Sequence, residues 1–243
     1  MLVERFLLNR RNGGLSAGER RILENAVSGT IDFPARAKVV RDGDAMTVSM
    51  LLVNGFLSRY VDDREGVRQL VAAHIPGDFV DLHAYPLKVM DHDVGALTDV
   101  RLAVVPHERL DAIMRECPEL ARKLWFSTLV DAAMHRAWVF RLGRLNSFAR
   151  VANFLCETNA RMFAVGLSDG RRFALPLKQF DLGDICGLTS VHVNRVLREL
   201  RERGLCTFRS GQVTIHDIGG LTRLGEFDPG YLHLDEGLLG RLL

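Results

Sequence analysis

The chain has 243 residues, 47% hydrophobic and 26% charged, with 32 Lys and Arg against 30 Asp and Glu. That is ample apolar material for two cores, and a net charge of +2 excludes a polybasic protein that coats nucleic acid indiscriminately. No stretch approaches the ~20 apolar residues of a membrane span. Met1–Asn12 lacks a secretory leader's apolar run, and Cys117, Cys156, Cys186 and Cys206 form no CxxC pair, so buried thiols in a reducing, cytoplasmic setting are expected.

Leu15–Val27 reads as a helix, with Ser16 as cap and Glu19 at the third helical position. From Ile31 to Pro106 short β segments alternate with turn pairs: Lys38–Arg41 before Asp42-Gly43, Thr47–Val53 before Asn54-Gly55, Phe56–Val61 before Asp62-Asp63. Val67–Ile75 precedes Pro76-Gly77-Asp78, and Val94–Thr98 and Arg101–Val105 complete the run. Regular short strands with this punctuation predict an antiparallel roll of jelly-roll type.

Pro106 opens a helical region that Pro118 interrupts, and Glu119–Leu142 is predicted as one long apolar helix. It carries two stripes: Leu120, Leu124, Ser127, Met134 and Trp138 on one, Phe126, Val130, Ala133, Ala137 and Phe140 on the next. Two stripes imply two partners, the roll and the same helix of a second subunit, with Phe126, Val130, Ala133, Met134, Ala137 and Phe140 as the dimer interface. Asp131 and Arg141 interrupt that seam. Gly143–Asn146 reads as a hinge, Ser147 as the cap of a helix Phe148–Met162, and Phe173–Leu177 as a strand. The expected domains are therefore 1–117 (roll with flanking helices), 118–146 (long helix and hinge) and 147–243, whose tail 217–243 has no readable role.

The segment Gln179–Gly204, QFDLGDICGLTSVHVNRVLRELRERG, has the grammar of a helix-turn-helix. Leu182, Cys186, Leu188, Val193 and Val196 make an apolar seam, Gly183 allows close helix approach, Gly187 ends the first helix and Thr189 caps the second. Ser190, Val191, His192, Asn194, Arg195 and Arg198 then point away from the seam, a polar and basic face of little use to a core. Between Arg171 and Ser210 eight Arg or Lys stand against four acids, a local +4 suited to phosphate. Leu205–Phe208, Ser210-Gly211 and Gln212–His216 form a β hairpin, which makes the motif a winged helix with Arg209 near the wing tip. The fold class is thus α+β: an N-terminal antiparallel β roll, a long dimerisation helix and a C-terminal winged helix-turn-helix domain, with double-stranded DNA as partner.

This order of parts, with LPLKQFDLGDICGLTSVHVNRVLRELRERGL and the roll segments PGDFVDLHAY and DHDVGALTDVRLAVVPH, resembles the Crp/Fnr family of bacterial transcription regulators over roughly Ile31–Asp217. The resemblance implies a homodimer that reads a palindromic operator, and contact with RNA polymerase in an activator. It puts Arg195 on a guanine, where a planar fork suits O6 and N7. Ser190 and Asn194 would reach base edges or phosphates, and Thr189 and His192 phosphates. Val191 stands where well-known members have a glutamate, so their half-site does not carry over. Lys178 replaces the hydroxyl residue that usually caps the first helix and brings a cation near DNA.

The family's cyclic-nucleotide binders carry a Gly-Glu pair and an arginine for the cyclic phosphate. Here Asp78 follows Gly77, no arginine lies between Arg68 and Arg101, and Lys88 lacks the bidentate fork. With no cysteine before Cys117, the N-terminal cluster that holds iron–sulfur is missing. Haem stays open as an alternative, with His74, His83, His92 and His107 as candidate iron ligands, and Asp81, His83, Asp91, His92 and Asp93 show no known metal-ligand spacing. No cofactor or metal is expected, and the roll reads as a sensor of unknown or absent ligand. Two other readings are a cupin-like barrel enzyme, which would need a His-x-His pair with a following Glu, and a structural nucleic-acid-binding protein indifferent to sequence.

Overall fold

The first helix, α1 (Ala17–Ala26), begins where its cap predicts: Ser16 Oγ accepts the Glu19 N–H and Glu19 Oε2 accepts the Ser16 N–H. The computed structural model describes residues 1–243 as two compact units, Met1–Leu8 with Asn12–Ala132 and Asn9–Arg11 with Ala133–Leu243. The division falls inside the long helix, between Ala132 and Ala133.

In the first unit seven antiparallel strands follow: β1 (Gly29–Phe33), β2 (Lys38–Val40), β3 (Val48–Asn54), β4 (Leu57–Asp62), β5 (Arg68–His74), β6 (Asp93–Ala96) and β7 (Val100–Pro106). They form two sheets, β1-β7-β3 and β2-β6-β4-β5. Short helix α2 (Ala84–Leu87) lies between β5 and β6, and α3 (His107–Glu116) follows β7. Successive side chains of a strand face opposite ways, and both faces of the β3/β7 pair are used. Leu52, Val100 and Leu102 point into the roll against Leu57, Val94 and Met90. Leu51, Ala103 and Val105 point outward under Val3, Phe6, Leu23, Leu110 and Leu120. Strand β1 was not legible because its residues are mostly exposed; pairing to β7 (Thr30 to Ala103) makes it a strand. Helix α2 was likewise not foreseen.

Helix α4 runs unbroken from Pro118 to Arg144, so the predicted hinge shrinks to Leu145-Asn146. Asn146, not Ser147, caps α5 (Ser147–Ala164): its Oδ1 accepts the N–H groups of Phe148 and Ala149. Strand β8 covers only Arg172–Ala174, shorter than expected, because Pro176 follows closely and has no N–H to donate. It pairs with the hairpin β9 (Cys206–Arg209) and β10 (Gln212–Ile215) in the order β8-β10-β9. Between them lie α6 (Gln179–Cys186) and α7 (Ser190–Glu202).

The tail is structural. Helix α8 (Ile218–Leu224), a 3-10 turn at Pro229–Leu232 and α9 (Glu236–Leu242) bury Leu221, Phe227, Leu232, Leu238 and Leu242. Arg10 bridges Leu234, and Asn9 Nδ2 donates to Ala164 O at 2.7 Å, so residues 9–11 belong to this unit.

At the centre of the unit is Glu157 on α5, with no solvent access. Its carboxylate accepts from Trp138 Nε1 (3.1 and 3.2 Å) and from the Tyr231 hydroxyl (2.8 Å), and pairs with Arg141 and Arg161 at 3.4 Å. The Arg141 guanidinium also stacks on the Trp138 ring at 4.1 Å. Arg141 is thus buried by this network and does not interrupt an outer seam. Removing the carboxylate leaves cations buried without their counter-charge, a loss of ~3–5 kcal/mol. Glu157→Ala is therefore expected to unfold the second unit at markedly lower urea, measured by circular dichroism, whereas the exposed Glu226→Ala stays near wild type.

Candidate DNA-binding surface and sensor roll

Helices α6 and α7 meet through Leu182, Ile185 and Cys186 on one side and Val193, Val196 and Leu200 on the other, all buried. A Cβ on Gly183 would sit 2.5 Å from Leu188 O, so only glycine fits this crossing. Gly187 takes φ +62° to end α6, and Thr189 Oγ1 accepts the His192 N–H at 3.3 Å to start α7. Lys178 gives α6 no side-chain acceptor. Asp181 Oδ2 accepts its backbone N–H at 2.7 Å, so half of a capping box survives the loss of the hydroxyl.

The opposite face of α7 is the one the sequence singled out. Ser190, Val191, Asn194, Arg195 and Arg198 are exposed, and His192 is half-buried. Arg195 Nη2 lies 2.9 Å from His192 Nε2, which holds the guanidinium against the helix. Between this face and the wing runs a groove of about 550 Å³ lined by Gln179, Val191, Asn194, Arg195, Arg201 and Thr207. Gln179, Arg201 and Thr207 were not singled out from sequence; Arg201 was present only as part of the local charge count. Ser210 and Gly211, with φ of +49° and +72°, form the primed kind of turn that suits a tight hairpin, and Arg209 is exposed beside it. Lys178 is exposed and stacks near Phe180.

On α4 the six expected interface residues are treated unequally. Val130, Ala133 and Met134 are buried within the chain, Phe126 packs on the outer core of the roll, Ala137 is half-buried and Phe140 is exposed. The uncovered apolar stripe lies one residue round the helix: Trp125 (66% exposed), Leu129, Val139 (73%) and Phe140.

Inside the roll, the groups that would meet a cyclic nucleotide are engaged elsewhere. Asp78 Oδ2 accepts the Ile75 N–H at 2.9 Å within its own turn, and the Lys88 ammonium lies over the Tyr85 ring at 4.7 Å. The roll's buried cation, Arg59 on β4, donates to Asp131 of α4 at 2.5 Å and to Val80 O at 2.9 Å. Burial, joined by the nearby Arg59 cation, lowers His74 and His83 to about 4. Burial raises Asp81 to about 7 while its Oδ1 accepts the Met50 N–H at 2.6 Å. His107 lies 3.2 Å from Ser49 Oγ and edge-on to Tyr85. Cys156, Cys186 and Cys206 are buried, which pushes their thiols to about 12, 11 and 12.

Two domain models match this chain: a cyclic nucleotide-binding domain over residues 30–117 and a Crp-like helix-turn-helix domain over residues 149–224, together about two thirds of its length. The chain belongs to the Crp/Fnr family of transcription regulators. It is 27% identical to the nitrogen fixation regulation protein FixK of Bradyrhizobium diazoefficiens over 205 residues, covering 84% of each chain. It is 23% identical to the anaerobic regulatory protein of Haemophilus influenzae, over 83% of this chain and 78% of that one. The solved structure of FixK2 from Bradyrhizobium japonicum superposes with a TM-score of 0.74 at 26% identity, covering 81% of this chain and 96% of that one. These relatives are regulators, and the barrel-enzyme reading falls away. No helix of this Crp/Fnr regulator is long and apolar enough to cross a membrane.

The buried His74 of the regulator's roll gives a pH test. Its ring nitrogens make no hydrogen bond within normal distance, Nδ1 lying 3.7 Å from Asp78 Oδ2, and the charges facing it are Arg59, Asp78 and Asp131. With a folded value near 4 against 6.5 unfolded, the unfolded chain takes up the proton first. The stability His74 contributes is therefore present above pH 6.5 and lost as pH falls through 4, on the order of 3 kcal/mol in full. His83 acts in the same direction and Asp81 in the opposite one. His74→Leu is expected to keep neutral-pH stability and to weaken the loss between pH 6.5 and pH 4, read from urea midpoints across that range.

Proposed function

We propose that this regulator binds a palindromic operator as a homodimer, with α7 in the major groove, the wing on the backbone, and a roll that does not take cyclic nucleotide. The observation that carries the DNA reading is the outer face of α7: five exposed side chains with no packing role, flanked by a groove and a basic wing. Arg195 and Asn194 read base edges, while Ser190, Thr189, His192, Arg198, Lys178 and Arg209 hold phosphates. Val191, 80% exposed, offers only a methyl surface, which favours thymine over any hydrogen-bonded contact at its position. Two-fold symmetry sets half-sites about one turn, ~34 Å, apart.

The dimer seam of this proposal runs along Trp125, Ala132 and Val139, spaced by seven residues, with Leu129 between them and Phe140 at the end. Such a stripe on one chain is apolar surface that a second α4 covers. The absence of a free cation for a cyclic phosphate supports a different effector, and the dispersed cysteines, three buried and Cys117 half-buried, support a regulator without iron–sulfur. The site of action is the cytoplasm, with the DNA, and an activator of this type also touches RNA polymerase.

Selection from a random duplex library by the purified protein is expected to enrich a palindrome; enrichment governed only by salt would sink the reading. On the selected operator, Arg195→Ala should lose discrimination at one base position of each half-site by ~1–3 kcal/mol. Arg209→Ala should weaken all sequences alike and lower the salt slope by about 1. Leu129→Asp should convert the dimer to monomer in analytical ultracentrifugation, and a fully dimeric variant would remove α4 from the interface.

A further inference from the structure

The roll holds a second constellation that neither DNA binding nor packing uses. His83 stands at the N-terminal edge of α2, and Asp91 and His92 lie in the loop that leads into β6. One ligand atom from each of the three falls within 4.8 Å of the others. His83 Nε2 is 4.0 Å from Asp91 Oδ1, His92 Nδ1 is 2.7 Å from the same oxygen, and the two imidazoles stack at 5.2 Å between centroids. His83 Nε2 is buried with no hydrogen-bond partner. A tetrahedral zinc with ~2.0–2.1 Å bonds separates its ligands by about 3.4 Å, so small side-chain rotations bring this set to coordinating distance.

We propose that His83, Asp91 and His92 form a binding site for a divalent first-row transition-metal ion, and that this ion is the roll's effector. Two imidazoles and one carboxylate are the donor set of zinc, nickel or cobalt; magnesium and calcium demand oxygen. Asp91 is largely exposed, which gives the ion an entry path and leaves a fourth coordination position to water. The site is joined to α4 through Arg59, whose Nε donates to Val80 O, three residues before His83, while its Nη1 holds Asp131 of α4. A divalent cation placed there repels Arg59 and attracts Asp131, and so disturbs the 2.5 Å pair that ties β4 to α4. The effector role rests on the regulator reading; the metal site does not.

The test uses the full-length protein after chelation and dialysis, titrated with zinc by calorimetry and with cobalt by visible absorption. One ion per chain is expected, with a cobalt d–d band. His83→Ala and His92→Ala should each lower zinc affinity by at least ~100-fold and Asp91→Asn by about tenfold. His216→Ala and His233→Ala, in the other unit, should change nothing. Circular dichroism checks that each variant is folded; should a histidine variant fail to fold, the exposed Asp91→Asn decides. Sub-stoichiometric zinc, or unchanged affinity in a folded His83→Ala or Asp91→Asn, would overturn the site. Operator affinity is then measured with and without zinc, with an expected change of tenfold or more that His83→Ala abolishes. Zinc bound at the site with operator affinity unmoved would overturn the effector role alone. Failure to bind any DNA in either state would count against the regulator reading, since the titrations use no DNA.

Discussion

A carboxylate sealed from water organises the DNA-binding unit. Glu157 holds two neutral donors and two guanidinium groups drawn from the end of α4, from α5 itself and from the tail. Each of those groups is costly to bury alone, and each is tolerable only because the others are present. The end of the long helix therefore cannot leave α5 without exposing or orphaning a charge. Since α5 also packs against α6 and α7, the orientation of the reading helix is set relative to the end of α4 by a polar network, where an apolar contact would permit sliding. Polar networks of this kind specify one arrangement more sharply than they stabilise it.

The reading face follows from that anchoring. Helix α7 spends its Val193, Val196 and Leu200 on the seam and has no other packing duty, so the rest of its surface is free to carry recognition. Arg195 is steadied by His192, which in the proposed reading reduces the side-chain freedom lost when the guanidinium meets a base. The neighbouring Val191 removes a hydrogen bond from the same surface, and its methyl groups discriminate less strongly than a bidentate pair. In the proposed reading, specificity is therefore concentrated in fewer positions per half-site, which makes the doubling supplied by a dimer correspondingly important.

What the sequence made legible divides along the range of the interactions involved. Caps, turns and the α6/α7 seam depend on neighbours a few residues away, so Ser16, Gly183, Gly187 and Thr189 could be read in place. The placement of Arg141 could not, because its inward turn depends on Glu157, sixteen residues on and on another helix. The register of α4 suffered for the same reason: adjacent stripes of similar apolarity differ only in which one the chain itself covers, and Val130, Ala133 and Met134 proved to be spent inside. Strand β1 is made by pairing, with no burial pattern to announce it. The tail showed no role because its apolar residues match α5 and residues 9–11, partners more than 50 positions away in the sequence.

The roll keeps the fold of a cyclic nucleotide-binding domain while its polar groups make contacts of their own. Its strands, turns and cores are those of a cyclic-nucleotide-binding domain, yet the acid after Gly77 is committed to its own turn and Lys88 to an aromatic ring. The roll's buried guanidinium, Arg59, pairs with Asp131 of α4 at 2.5 Å. A buried ion pair contributes little net stability, since desolvation offsets most of the attraction. Its consequence lies elsewhere: whatever changes the charge beside Arg59 changes the energy of a contact on the long helix. Arg59 also donates to Val80 O, three residues before the proposed ligand His83. In the proposed reading, a charge taken up by His83, Asp91 and His92 reaches α4 through the two contacts of Arg59.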